Sequence, residues 1–139
     1  MSTLVRAEIS EKNKHWIDKH RHYELKHFCL QYPTWKREYA AYSPTIKTSS
    51  YDRVGSGGKN ITDPTAEYAI NLAYYDMRIS LIERAAKETD EFLYPYILKA
   101  VTEGLSYTYL KNVLQIPCGK DMYYNRYRKF FWILNKMRG

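Results

Sequence analysis

Apolar residues recur with a helical period through the middle of the chain, and this pattern limits the fold more than any other sequence feature. Six of them follow one another at spacings of 4, 3, 4, 3 and 4: Tyr68, Leu72, Tyr75, Ile79, Ile82 and Ala86. Because residues three and four apart share one face of an α-helix, the pattern predicts a single helix of about 24 residues. Asp63 is suited to cap this helix and Pro64 to take its first position. The apolar face is either the core of a bundle or the seam of a dimer.

A second helical pattern precedes this segment, and no part of the chain alternates as a half-buried β-strand would. The first helix is predicted over residues 10–31, with Ser10 as its cap. Its apolar side is formed by five residues: Trp16, Tyr23, Leu25, Phe28 and Cys29. Tyr32-Pro33 ends this helix, because the residue before a proline avoids the helical region. A short helix over residues 34–41 is expected to follow.

Residues 43–62 show no apolar period. They contain turn and linker residues, among them Ser43-Pro44 and Gly55-Ser56-Gly57-Gly58, which favour a flexible loop. The chain is therefore expected to have three parts: a helical N-terminal segment (1–42), a flexible loop (43–62), and a region (63–139) that holds the long helix and the C-terminal helices. The predicted fold class is all-α, a helical bundle with a long central helix.

Three further helices are predicted after the long one. Asp90 caps a helix that Gly104 ends, and its buried side carries Phe92, Leu93, Ile97, Ala100 and Val101. Ser106 caps a short helix over residues 107–113. A final helix over residues 120–137 has apolar residues at spacings of 4, 3, 4 and 3: Tyr123, Tyr127, Phe130, Leu134 and Met137.

Positive charge is concentrated at the C-terminal end. The 139 residues carry a formal net charge of +7, and residues 111–139 hold seven of the 22 Lys and Arg but one of the 15 Asp and Glu. Residues 64–110 are acidic, with four basic and seven acidic side chains. A basic end beside an acidic middle is typical of a protein that binds a polyanion through that end. The alternative is a basic helix that only faces water.

Other classes of function find little support in the sequence. The four histidines, His15, His20, His22 and His27, lack the i, i+4 spacing of a helical metal site. Gly55 to Lys59 lacks the full spacing of a phosphate-binding loop. No triad, carboxylate pair or long apolar run stands out, so we expect neither an enzyme nor a cofactor, metal or membrane segment. Two cysteines in a chain of this size are typical of a reduced, cytoplasmic protein.

The short helix, turn and basic final helix have the order of a helix-turn-helix, in which the second helix enters the major groove of DNA. Six residues of the final helix are predicted to contact double-stranded DNA: Lys120, Tyr124, Asn125, Arg126, Arg128 and Lys129. Asn125 is suited to pair with adenine, and Arg128 with guanine or phosphate. Lys120 and Lys129 are expected beside the backbone, and Tyr124 against the nucleic acid.

Two resemblances agree with this interpretation. The block Gly104-Leu105-Ser106-Tyr107, followed by Leu110, Leu114 and Ile116, is similar to the helix-turn-helix of sigma factor region 4, although Gln115 stands where that family has a glycine in the turn. The chain as a whole resembles the ArpU/RinA-type phage transcriptional regulators of Firmicutes. Three blocks carry that resemblance, namely Tyr32-Pro33-Thr34-Trp35-Lys36, Asp63-Pro64-Thr65-Ala66, and Tyr123-Tyr124 with Arg126 and Arg128-Lys129-Phe130. It implies a small helical DNA-binding protein of a phage or prophage.

The leading hypothesis is therefore a sequence-specific transcriptional regulator of a phage, prophage or mobile element. Two alternatives remain open. One is a DNA-packaging component of the small-terminase kind, and the other is a protein-interaction module whose basic helix meets an acidic partner such as RNA polymerase. Major-groove readers commonly dimerise, so we also expect a homodimer, with the face from Tyr68 to Ala86 as its candidate seam.

Overall fold

The structure, a computed structural model, describes residues 11–42 and 64–139. Every regular element in these ranges is an α-helix. The helices are α1 (Lys19–Leu30), α2 (32–42), α3 (Pro64–Thr89), α4 (Tyr94–Glu103), α5 (Tyr107–Asn112) and α6 (Lys120–Arg138). The predicted all-α class and the long helix are confirmed. The predicted loop over 43–62 and the predicted caps Ser10 and Asp63 lie outside the described residues.

The first helix begins nine residues later than the apolar pattern predicted. Asp18 caps α1, its side chain accepting from the backbone N–H groups of His20 and Arg21. Before it, the side chain of Asn13 accepts from the N–H of His15 at 2.8 Å, which fixes a turn. Residues 11–18 therefore form an irregular segment, because these two side chains compete with helical hydrogen bonds for the backbone donors.

The described residues form two compact units, 11–32 with 81–139, and 33–42 with 64–80. In the first unit, α1 packs against α4 and α6, and α4 packs against α6. Five residues of α1, α4 and α6 are fully buried at the centre of this bundle: Leu25, Cys29, Ile97, Phe130 and Leu134. Burial of side chains of this size is what stabilises a small helical domain, at roughly 1.5–3 kcal/mol each.

The apolar face of α3 is divided between the two units. Ile82 and Ala86, in the first unit, are completely buried, so this part of the face is core. In the second unit, the ring of Tyr42 lies 5.7 Å from that of Tyr68 and 5.9 Å from that of Tyr75. These two tyrosines of α3 are half-buried. The interpretation of the face as core therefore holds for its C-terminal part.

One predicted core position is wrong. Phe92 is 71 % exposed. The cause at Phe92 is a turn before α4, which begins at Tyr94 with Leu93 as its N-cap, and not with the predicted cap Asp90. Asp90 Oδ1 accepts from the N–H groups of Phe92 and Leu93 at 2.9 and 2.8 Å, which makes a turn that directs Leu93 inward and Phe92 outward. Helix α4 ends at Gly104 with φ 70°, as predicted.

The end of α5 is closed by a residue in the left-handed region. Gln115 has φ 57°, and the N–H of Ile116 donates to the carbonyl of Leu110 at 2.9 Å. The sequence comparison with sigma region 4 placed a glycine at this position, and the backbone has the conformation that glycine prefers. A glutamine there carries the steric cost of its Cβ, about 1 kcal/mol.

We predict that Gln115→Gly raises the free energy of unfolding by about 0.5–1 kcal/mol, because it removes this cost. Gln31→Gly is the matched control. Gln31 also follows a helix, but with φ −84°, so glycine there should lower stability by about the same amount. Urea denaturation of both variants measures the difference, and a destabilised Gln115→Gly protein would contradict the role given to this turn.

Candidate nucleic-acid interface

Helix α6 buries a wider arc than its apolar stripe predicted. Six of its residues are buried: Tyr123, Tyr124, Tyr127, Phe130, Phe131 and Leu134. Tyr124 and Phe131 lie about two helical turns apart and form a second inward row beside the predicted stripe. The ring of His22, on α1, lies 4.7 Å from that of Phe131 and 6.2 Å from that of Tyr127. Helix α1 therefore packs against the second row at Phe131 as well as against the predicted stripe at Tyr127.

Tyr124 was predicted to face nucleic acid, and that prediction is wrong. Its side chain is 3 % exposed, and its ring lies 5.0 Å from that of Tyr123 and 6.1 Å from that of Tyr127. Such edge-on contacts between rings stabilise a packed core. Tyr124 therefore has a structural role in holding α6 in the bundle.

The other five predicted residues lie at the surface. Lys120 is exposed, and Asn125, Arg126, Arg128 and Lys129 are half-exposed. Asn125, Arg128 and Lys129 lie on the side of α6 opposite its buried rows, whereas Lys120 is the first residue of the helix, in line with Tyr124 and Phe131. The inner rows fix this half of the helix, so the five polar side chains share one rigid support.

Arg126 and Asn125 are held by hydrogen bonds within the chain. Arg126 Nε donates to Asp90 Oδ2 at 2.8 Å, and its Nη1 donates to Asn125 Oδ1 at 2.6 Å. Burial opposes ionisation of the Asp90 carboxyl, but the hydrogen bonds from Arg126, Leu93 and Phe92 outweigh it, and the pKa of Asp90 lies below its ordinary value. Asp90 is therefore a charged anchor that holds Arg126 in place.

A pocket of about 480 Å³ opens beside this ion pair. Its lining includes Lys14 and His15 of the N-terminal segment and four residues of α6, namely Asn125, Arg126, Lys129 and Trp132, together with Asp90 and Thr89. We call it the basic pocket. The imidazole of His15 is 7 % exposed and its centroid lies 5.2 Å from that of the Trp132 ring. The irregular residues before α1 thus lie against the outer side of α6 at Trp132.

Positive charge surrounds His15. Burial lowers the pKa of His15, and the nearby charges of Lys14, Lys129, Arg128 and Arg126 lower it further. The imidazole is therefore neutral at pH 7. The sequence missed this cluster, because Lys14 and His15 are remote from α6 in the chain and only the fold brings them together.

The basic residues in the C-terminal half of α6 have other partners. Lys136 Nζ lies 4.0 Å from the centre of the Trp132 ring, and the Arg138 guanidinium 4.0 Å from that of Phe28. Nearby, Arg21 Nε donates to Asn135 Oδ1 at 2.6 Å. Cations over aromatic rings are weak but favourable contacts. This half of the helix is therefore fastened to the bundle, and the candidate interface is its N-terminal half.

The link between α5 and α6 spans residues 113–119, seven residues, whereas a helix-turn-helix usually has a turn of three or four residues. Tyr107 closes the link, because its hydroxyl donates to the carbonyl of Cys118 at 2.8 Å and its ring lies 5.6 Å from that of Tyr123. The helix-turn-helix itself is not confirmed by this geometry and stays a prediction.

Two other kinds of site can be examined in the part of the chain that the structure describes. Its His, Cys, Asp and Glu side chains form no group that could hold a metal ion. No helix in these ranges is long and apolar enough to cross a bilayer. Cys29 is a buried free thiol and Cys118 a half-buried one.

Comparisons of the chain with protein-family models, with curated proteins and with solved structures found no match. The resemblance to ArpU/RinA-type regulators thus stays a prediction that rests on the sequence blocks described above.

The buried histidine makes stability depend on pH. The pKa of His15 is lower in the folded chain than the ordinary 6.5, so the unfolded chain binds more protons at mildly acidic pH. The free energy of unfolding therefore has its full contribution from His15 above about pH 6.5. That contribution is lost as the pH falls from this value toward the pKa of the folded chain.

We predict that His15→Gln, which cannot titrate, loses less stability than the wild type between pH 7.5 and pH 5. Urea denaturation at both pH values measures this difference. His20→Gln is the matched control, since His20 is exposed on α1. Equal losses in the wild type and His15→Gln would show that His15 is not held neutral by its surroundings.

Proposed function

We propose that the chain binds double-stranded DNA through the N-terminal half of α6, as a sequence-specific transcriptional regulator of a phage, prophage or mobile element. The observation that carries the proposal is the concentration of cations beside α6. Four of them act on His15, and Asp90 is the one carboxylate among the described residues that line the basic pocket. Positive side chains on one rigid helix face are what holds the phosphate backbone of a duplex. The phage assignment is supported by the sequence resemblance.

The contacts within the chain divide the proposed roles. The proposed role of Lys120 and Lys129 is to contact phosphates, and that of Arg128 is to contact a base or a phosphate. Arg126 is a positioning residue, because Asp90 and Asn125 hold its guanidinium. Pairing with adenine uses both the oxygen and the nitrogen of an Asn amide. Since Asn125 Oδ1 already accepts from Arg126, the proposed role of Asn125 is that of a donor to a phosphate oxygen.

Lys129→Ala should weaken binding to all duplexes alike and flatten the log–log salt dependence of the association constant by about one unit. The reason is that one phosphate would lose its cation. Fluorescence anisotropy with a labelled duplex of random sequence, over a series of KCl concentrations, gives this slope.

Lys99→Ala is the matched control, since it removes the same charge from α4, where Lys99 pairs with Glu103 at 2.9 Å. It should bind as the wild type does. If Lys129→Ala is folded by circular dichroism and also binds as the wild type does, α6 is not the DNA interface. An acidic protein would then be the better partner for its basic face.

The proposed regulator is expected to act as a dimer. The predicted seam is partly used inside the chain, since Ile82 and Ala86 are buried. A neighbouring row on α3, spaced by four and three, is instead exposed: Ile70 by 68 %, Tyr74 by 46 % and Met77 by 64 %. An exposed apolar row of this kind is typical of an interaction surface.

The charges beside this row favour a second copy as its partner. Glu67 and Arg78 lie on the same flank of the row, near its opposite ends. When two copies of α3 pair antiparallel about a two-fold axis, the same flank of each helix lies on the same side of the pair, but the two helices run in opposite directions. Each Glu67 therefore faces the Arg78 of the other copy.

Sedimentation at tens of micromolar should show a dimer of the 16.6 kDa chain, and Met77→Glu should dissociate it, because a charge would be buried in the seam. Phe92→Glu is the control, since Phe92 is equally exposed but lies before α4. A monomeric wild type, both free and on DNA, would contradict the dimer.

A further inference from the structure

We propose that the basic pocket holds one phosphate group of the DNA backbone, bound jointly by Lys14 of the N-terminal segment and Lys129 of α6. This inference rests on the proposed function and adds to it a contact from outside the C-terminal helices. Four observations carry it: the donors that line the pocket, the three hydrogen bonds that its carboxylate already accepts, the lack of an ion-pair partner for its two lysines among the described residues, and the nature of its aromatic wall.

The pocket offers a ligand several hydrogen-bond donors, while most of its acceptor atoms are already engaged. Asp90 Oδ1 accepts two backbone N–H groups, and its Oδ2 accepts from Arg126. Thr89 donates its own hydroxyl proton to the carbonyl of Ala85 at 2.7 Å. Asn125 accepts through Oδ1, which leaves its Nδ2 group as a donor. A tetrahedral oxyanion, which only accepts, matches this set of donors.

Lys14 and Lys129 differ from the other basic residues that surround the pocket. Arg126 has its carboxylate, and Lys136 lies over the ring of Trp132. Within residues 11–42 and 64–139, by contrast, neither Lys14 nor Lys129 has an ion-pair partner, although both line the same pocket. Two like charges at one site repel each other, and an anion between them removes that repulsion.

The aromatic wall excludes a nucleobase as the ligand of this pocket. Base stacking needs an open ring face. The ring of Trp132 has Lys136 over one face and the imidazole of His15 packed against it. Trp132 and His15 therefore form a wall that limits the pocket, and the phosphate is the part of DNA that fits its charge. Neutral His15 can donate one ring N–H without adding a further cation.

The test is DNA binding by Lys14→Ala, a substitution at an exposed side chain that the fold tolerates. We expect the salt slope of this variant to be flatter by about one unit, as for Lys129→Ala, because either lysine alone leaves the phosphate poorly neutralised. If both hold the same phosphate, the double variant loses about one unit of slope in total, whereas two separate contacts would cost about two.

The outcomes separate the inference from the proposed function. If Lys129→Ala weakens DNA binding and Lys14→Ala does not, DNA binding by α6 stands and the shared phosphate is overturned. If the two losses add fully, each lysine holds its own phosphate and the inference is again overturned. Lys99→Ala serves as the charge control for both measurements, since its ion pair lies on α4.

A free phosphate is distinguished by a second measurement. Thermal unfolding is followed in sodium phosphate and in sodium chloride of equal ionic strength. If phosphate stabilises the wild type but not Lys14→Ala, and both bind DNA equally, the pocket takes free phosphate and the DNA contact is overturned. Equal stability in the two salts together with weaker DNA binding by Lys14→Ala supports the backbone contact.

Discussion

The carboxylate of Asp90 joins the parts of the first unit that matter most for the candidate site. One of its oxygens accepts the two backbone N–H groups that start the turn into α4, and the other accepts from Arg126 of α6. The same group thus sets the direction of α4, fixes the position of Arg126 on α6 beside it, and accepts three hydrogen bonds in doing so. The basic pocket keeps its positive character because its carboxylate is already engaged.

The contact of α1 with α6 decides which face of α6 is available. A periodic stripe in a sequence gives the centre of the buried face but not its width. On α6 the stripe from Tyr123 to Leu134 predicted the centre correctly. The second row, Tyr124 and Phe131, is also buried, and His22 of α1 lies against Phe131. Tyr124 therefore belongs to the core, although its position beside the stripe pointed to the surface.

The fold also changes the meaning of the basic residues. Counting charges identifies residues 111–139 as basic, yet several of these side chains are engaged by Asp90, Trp132 or Phe28. What remains for a polyanion is a smaller set, which Lys14 joins from the other end of the chain. A charge count gives the net charge of a segment of sequence. Binding of a polyanion depends instead on which cationic side chains lie together on the surface without an ion-pair partner.

The sequence alone determined the helical class, the end of α4 at Gly104, the start of α5 and α6 and the surface position of Lys129, because caps, glycines and apolar periods act through neighbours in the chain. It also marked position 115 as one where the related pattern has glycine, and the structure shows the left-handed turn there. It could not determine the late start of α1, since Asp18 prevailed over the longer apolar pattern, nor the outward direction of Phe92. Only the tertiary structure decided that Tyr124 is buried and that Lys14 and His15 meet α6. Such contacts join residues far apart in the chain, and their energy comes from packing that no local pattern records.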